Sequence, residues 1–184
     1  MDLVDALLEL YQIDPTRIPV WRPEIDRIDL YGKILLSRGD FRRGIKKKII
    51  GAVGYYRTEE YFEAAHSFEW ATKAARNFEV PAKRVVLAEL CAVSYRKAQE
   101  LHQSPKKKSS PQEDLAWALS RQADAYVDLI RQRERAGEDL SELYGKADTA
   151  AKRAIELFRL TGIDPFKDLR TSGLYEKLAQ YLEI

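Results

Sequence analysis

The sequence predicts an all-α fold, on three observations. Apolar residues recur at offsets of three and four along most of the chain, as one face of a helix requires. Helix-start and helix-stop residues punctuate those stretches. No stretch combines strict apolar–polar alternation with β-branched enrichment; the one strand-like run, KKIIGAV at 47–53, has basic, helix-compatible flanks. The expected architecture is a set of antiparallel helical hairpins, about seven to eight helices in all, stacked as an irregular array or closed as a compact bundle.

Leu3, Leu7, Leu8 and Tyr11 form one stripe and predict an opening helix over 3–11, ending before Asp14-Pro15. Residues 13–23 hold three prolines and read as an extended connector whose Ile13, Ile18, Val20 and Trp21 lie across a helical surface or mediate dimerisation. Pro23-Glu24 opens a second helix with an apolar stripe of Ile25, Ile28, Leu30, Ile34 and Leu35, stopped at Arg38-Gly39. Asp40 caps a basic helix to Tyr56, and Thr58-Glu59-Glu60 reads as the start of the next, to Asn77. Pro81 begins a helix to Gln103, followed by the polar loop SPKKKSS at 104–110. Ser110-Pro111-Gln112-Glu113 starts a helix to Arg135, and Asp139 with Glu142 starts another to Leu160. A short helix over 172–182 closes the chain. Residues 1–40 are expected to pack as N-terminal helices and connector on a helical-hairpin domain at 41–184.

Composition narrows the function classes. With a net charge of +2 on 184 residues, no global field draws the protein to nucleic acid or anionic lipid. Apolar runs fall far short of the ~20 residues of a membrane span. The opening MDLVDALLELYQ lacks the basic start of a secretory signal. One cysteine, Cys91, excludes an internal disulfide framework and favours a reducing, cytoplasmic setting. One Met, one Cys and one Asn amid many Lys, Arg and Glu suit a thermophilic source.

Site chemistry is sparse. Two distant histidines, His66 and His102, with a lone cysteine do not make a zinc site, and no common phosphate loop occurs, so no metal or cofactor is expected. Gly51 and Gly54 lie within a helix, where they allow close packing. Carboxylate pairs such as Glu59/Glu60 fall at helix starts, where the helix dipole accounts for them.

Ala-x-x-Tyr occurs at Ala52/Tyr55, Ala92/Tyr95 and Ala123/Tyr126, and Ala-x3-[Phe/Ala]-x2-Ala at Ala64/Phe68/Ala71 and Ala147/Ala151/Ala154. Together they resemble the tetratricopeptide-repeat family, with one good unit at 46–78 and degenerate ones elsewhere. The resemblance implies an adaptor whose groove is lined from the first helix of each unit. The partner-binding candidates are then Lys46, Tyr56, Glu89, Arg96, Trp117 and Asp124, suited to an extended peptide with an acidic end. Ile49 and Val53 fall on the same implied face. The tract YFEAAHSFEWATKAA also resembles the HEPN family, some members of which cleave RNA with Arg-x4-6-His; Arg96 and His102 satisfy that spacing, followed here by Lys97. A third expectation is nucleic-acid binding by two basic clusters, Arg42, Arg43, Lys46, Lys47 and Lys48, and Lys106, Lys107 and Lys108. The leading expectation is a non-enzymatic helical adaptor that binds a protein partner through an inter-helix groove or surface patch, with homo-oligomerisation open.

Overall fold

The computed structural model describes residues 2–103, 110–134 and 136–184. Among them are eight α-helices and no strand, the all-α fold that the periodicity predicts. Contacts divide the chain into two units, Met1–Ser104 and Pro105–Ile184. The helices pack in adjacent pairs, an order compatible with a repeat-like helical fold.

In the first unit α1 (Leu3–Leu10) lies on α5 (Pro81–Glu100), while α2 (Arg22–Ser37), α3 (Phe41–Arg57), α4 (Tyr61–Ala75) and α5 each pack on the next. Between α1 and α2 the connector makes one 3₁₀ turn, Pro15–Arg17, capped by the Asp14 side chain. It runs along the C-terminal half of α3, where Arg57 Nη1 donates to the Pro15 carbonyl at 3.1 Å. Ile13 and Ile18 are buried as expected; Val20 and Trp21 are not, and Trp21 is 67% exposed. Both stand at the N-terminal edge of α2, where the chain has turned outward to begin the helix.

Glycine on α2 and α3 sets how closely these helices approach. A Cβ on Gly32 would meet the Lys48 backbone nitrogen at 2.9 Å, and one on Gly51 would meet Asp29 Cβ at 3.0 Å. The two backbones are closer here than any larger residue permits. Farther along, the seam residues Ala52, Ala64, Phe68 and Ala71 are fully buried between α3, α4 and α5, with Ala92, Tyr55 and Tyr95 nearly so.

Three helices of this unit end on a left-handed residue that is not glycine. His102 (φ 53°) follows α5, and Gln12 (φ 52°) and Glu59 (φ 61°) end α1 and α3 in the same way. Each has the crossed pair of amide bonds that closes a helix terminus: His102 N–H donates to Gln99 at 3.0 Å and Gln103 N–H to Ala98 at 2.8 Å. Thr58 therefore belongs to the end of α3, where its hydroxyl donates back to the carbonyls of Gly54 and Tyr55, rather than to the start of α4. The α3–α4 turn is held by Gln103, whose amide donates to the Glu59 carbonyl at 2.7 Å and accepts from Phe62 N–H at 3.3 Å.

In the second unit α6 (Pro111–Glu134) and α7 (Ser141–Leu160) form a long hairpin, and α8 (Ser172–Leu178) packs on α6. Ser110 Oγ caps α6 by accepting from Glu113 N–H at 3.1 Å, as the start signal predicts. Ala147, Ala151 and Ala154 are buried where α7 meets α6. Phe158, between Trp117 (5.3 Å) and Tyr175 (6.4 Å), joins the three helices through edge-to-face ring contacts.

Candidate functional site

Three polar side chains of the first unit, Asp29, Lys48 and Ser67, meet on the α2–α3–α4 seam. Lys48 Nζ lies 2.5 Å from Asp29 Oδ1, and Ser67 Oγ donates to the same oxygen at 2.6 Å. One carboxylate thus ties three helices. Lys48 is 1% exposed. Burial pulls its pKa below the ordinary lysine value, and the Asp29 carboxylate opposes that shift. This corrects the expected nucleic-acid cluster: Lys48 is an internal cation with no surface to offer a phosphate. A second polar group flanks it, in which Tyr55 Oη donates to Asp26 Oδ1 at 2.6 Å. Burial raises the Tyr55 pKa, and the Asp26 hydrogen bond raises it further. Arg22 bridges Asp26 (2.8 Å) and Glu60, and its guanidinium lies 5.0 Å from the Tyr55 ring centre.

The remaining residues of the basic cluster face outward to different degrees. Arg42 and Arg43 are exposed, Lys46 and Lys47 half-buried, and Lys106, Lys107 and Lys108 lie outside the described residues. Arg43 pairs with its own helix cap, Asp40, at 3.2 Å and donates to the Tyr31 hydroxyl at 3.3 Å.

Of the six residues expected to line a partner groove, Lys46, Tyr56, Glu89 and Arg96 lie in the first unit and Trp117 and Asp124 in the second. Tyr56 stands edge-on to Tyr61, and Lys97 Nζ lies 4.7 and 4.8 Å from the two ring centres. The hydrogen bond to Tyr56 raises the Lys97 pKa. Lys46 is on α3, Glu89 and exposed Arg96 on α5; Ile49 and Val53, on the same implied face, are fully buried in the core. Trp117 and Asp124 belong to the second unit. There Trp117 packs on Phe158 with Arg121 and Arg170 5.6 and 5.9 Å from its ring centre. Asp124 is buried and pairs with Lys177 at 2.5 Å, so it anchors α8 instead of facing a ligand.

Arg96 and His102 are both exposed near the C-terminal end of α5, and the left-handed backbone of His102 is accounted for by its place in the helix terminus. Among the described residues no group of three or more His, Cys, Asp or Glu side chains is placed to hold a metal ion. No described helix is long and apolar enough to cross a membrane.

The surface that sequence reasoning missed is the outer face of α2. Leu30 (57%), Tyr31 (41%) and Ile34 (37%) are exposed together and line, with Ile28, Arg27 and Lys47, an open groove of about 470 Å³ beside α3. The sequence assigned Leu30 and Ile34 to one stripe with Ile25 and Leu35. On a helix, however, residues 27, 30, 31, 34 and 38 fall roughly opposite 25, 29, 32 and 36. The second set makes the glycine seam with α3, leaving the first on the exposed side, where Arg43 of α3 reaches the Tyr31 hydroxyl. Phe78, also exposed, is partly covered by Phe41 in a ring stack at 3.9 Å.

No protein-family model matches this chain, and no curated protein or solved structure matches it either.

Proposed function

We propose that this chain is a non-enzymatic helical scaffold that binds a protein partner through the groove on the outer face of α2. The observation that carries this reading is the cluster of Leu30, Tyr31 and Ile34, three large side chains exposed side by side on a rigid helix and bordered by cations. Contiguous apolar surface with a polar rim is what interaction sites present, whereas scattered single apolar residues need no explanation. The tetratricopeptide-like seams suit a scaffold role, since they build stiff helix pairs whose outer faces remain available for binding. The docking surface on this reading is the α2 groove and not the line of six residues that the resemblance implied.

The test is site-specific photo-crosslinking in the native lysate, with a benzophenone side chain at Tyr31 and, as a control, at exposed Leu160 of α7. The expected result is one discrete crosslinked partner from position 31, absent from position 160 and lost when Leu30 and Ile34 are changed to Ser. Identical patterns from both positions would remove the groove as the docking surface.

A further inference from the structure

We infer that the α2 groove takes an acidic amphipathic helix: a partner segment with apolar side chains one turn apart and carboxylates on its flanks. This rests on the docking reading above and adds to it the chemistry of the occupant.

Shape selects a helix. Leu30 and Ile34 are one turn apart, so their ridge and the flank of α3 leave a straight channel of the kind a third helix enters. From Arg27 to Arg38 the face is about 16 Å long at 1.5 Å per residue, room for about three turns of partner helix. An added β-strand would need a sheet edge, and the described residues contain no strand. A polyproline segment would need an aromatic-lined channel, whereas Tyr31 is the one aromatic side chain lining this groove.

Charge selects an acidic helix. Arg27 and Lys47 line the groove, and Arg38 and Arg43 continue the same side of the α2–α3 pair. Asp26 and Asp29 turn away from this face, to Arg22 and Tyr55 and to Lys48, and the carboxylates left on it are Glu24 and Asp40, held by Arg27 at 3.8 Å and by Arg43 at 3.2 Å. Four cations against two carboxylates make this edge locally basic in a chain whose net charge is only +2. The same rim argues against a second copy of the chain as occupant. A two-fold contact through this face would set the cations of one protomer close to those of the other.

The experiment uses the full-length protein and three fluorescein-labelled, alanine-based helical peptides. All carry Leu at i and i+4, and their flanking positions are all Glu, all Gln or all Lys. Anisotropy at low salt should show the Glu peptide binding at least about tenfold tighter than the Gln peptide, with the advantage shrinking as added salt screens the rim. The double change Arg27→Glu and Lys47→Glu, at positions outside the core, should transfer the preference to the Lys peptide. Leu30→Ser with Ile34→Ser should weaken all three, and circular dichroism checks that helix content is retained.

Equal binding of the three peptides that still depends on Leu30 and Ile34 would overturn the acidic occupant and leave the docking reading standing. Binding of none would overturn the inference, while crosslinking from position 31 decides the docking reading separately. Two further probes are vesicles of phosphatidylserine and phosphatidylcholine, and a single-stranded oligouridine. If either is held through Arg27 and Lys47 while the peptides are not, the inference is overturned in favour of lipid or nucleic acid.

Discussion

Among the described residues each unit buries a lysine–aspartate pair at 2.5 Å, and the two pairs are built in opposite senses. In the first unit the cation is the enclosed partner: Lys48 is sealed in the α2–α3 seam, and its acid, Asp29, keeps 19% of its side chain exposed. In the second the anion is enclosed, since Asp124 is 4% exposed while Lys177 reaches in from α8 and shares its charge with Asp128 at 2.7 Å. A lysine with a long apolar stem can keep its ammonium near water, as Lys177 does. Lys48 cannot, because glycine on both helices closes the seam around it. Where the backbones approach most closely the charge is locked between layers; where a short helix docks, it acts as a tether.

Removing a partner should affect the two pairs unequally. Asp29→Ala leaves Lys48 buried and uncompensated and also strands Ser67, with an expected loss of about 3–5 kcal/mol. Lys177→Ala removes the partly exposed side chain that covers the enclosed Asp124, opening a path for water to it beside the partly exposed Asp128, and should cost less, about 1–3 kcal/mol. The double change Asp29→Leu and Lys48→Met removes both charges and should recover most of the loss. Hydrogen exchange on the full chain, read separately for each unit, checks all three. Equal losses from the two single changes would erase the distinction between a locked and a tethering charge.

Alkaline pH sharpens the same contrast. Tyr175, in the second unit, donates to or accepts from Ser120 Oγ at 2.9 Å, and burial pushes its pKa from 10.0 to about 12. The folded state therefore keeps a proton that the unfolded state loses. The resulting stability is complete below pH 10.0 and is lost by about pH 12, on the order of 2–3 kcal/mol. Tyr11 and Tyr55 in the first unit act with the same sign, since burial raises both. Lys48 acts against them. Its folded pKa is depressed, so the unfolded state binds the extra proton, and stability rises with pH toward the ordinary lysine value of 10.5. Urea midpoints followed from mildly alkaline pH upward should show the wild-type advantage over Tyr175→Phe disappearing above pH 10.0. An advantage constant with pH would contradict the shift.

Much of the helix inventory was legible because it rests on local signals. The Asp40 and Ser110 caps and the alanine–aromatic seams stand where the sequence places them. The proposed docking face was less legible, since it depends on which side of a helix a neighbour covers. Lys48 reads as part of a basic run, yet it shares one stripe with Ile45, Ala52 and Tyr55, a signal that it points inward. Asp29 likewise falls in register with Ile25, Gly32 and Leu36. Counting Leu30 and Ile34 with Ile25 merged two opposite faces of α2 and hid the groove. Separating them required the position of α3, which glycine spacing hints at and only the fold supplies. Asp124 was misplaced for a different reason: its partner Lys177 lies 53 residues away, and no local pattern joins them.

Glycine offers the finest test, because the two units use it differently. Gly51 and Gly145 both sit inside helices, and by propensity alone alanine should improve each by up to about 1 kcal/mol. A Cβ at Gly145 would meet nothing within 4 Å, so Gly145→Ala should realise that gain. A Cβ at Gly51 would meet the Cβ and Cα of Asp29 at 3.0 and 3.2 Å, backbone and stem that cannot swing away. Gly51→Ala should instead cost about 1–2 kcal/mol as α2 is pushed off α3. Because that displacement would also move Asp29 from Lys48, the loss should shrink when both charges have already been removed by Asp29→Leu and Lys48→Met. Thermal or urea unfolding of the four proteins measures the coupling. Strict additivity would mean that close backbone approach and the buried charge are independent features of the seam.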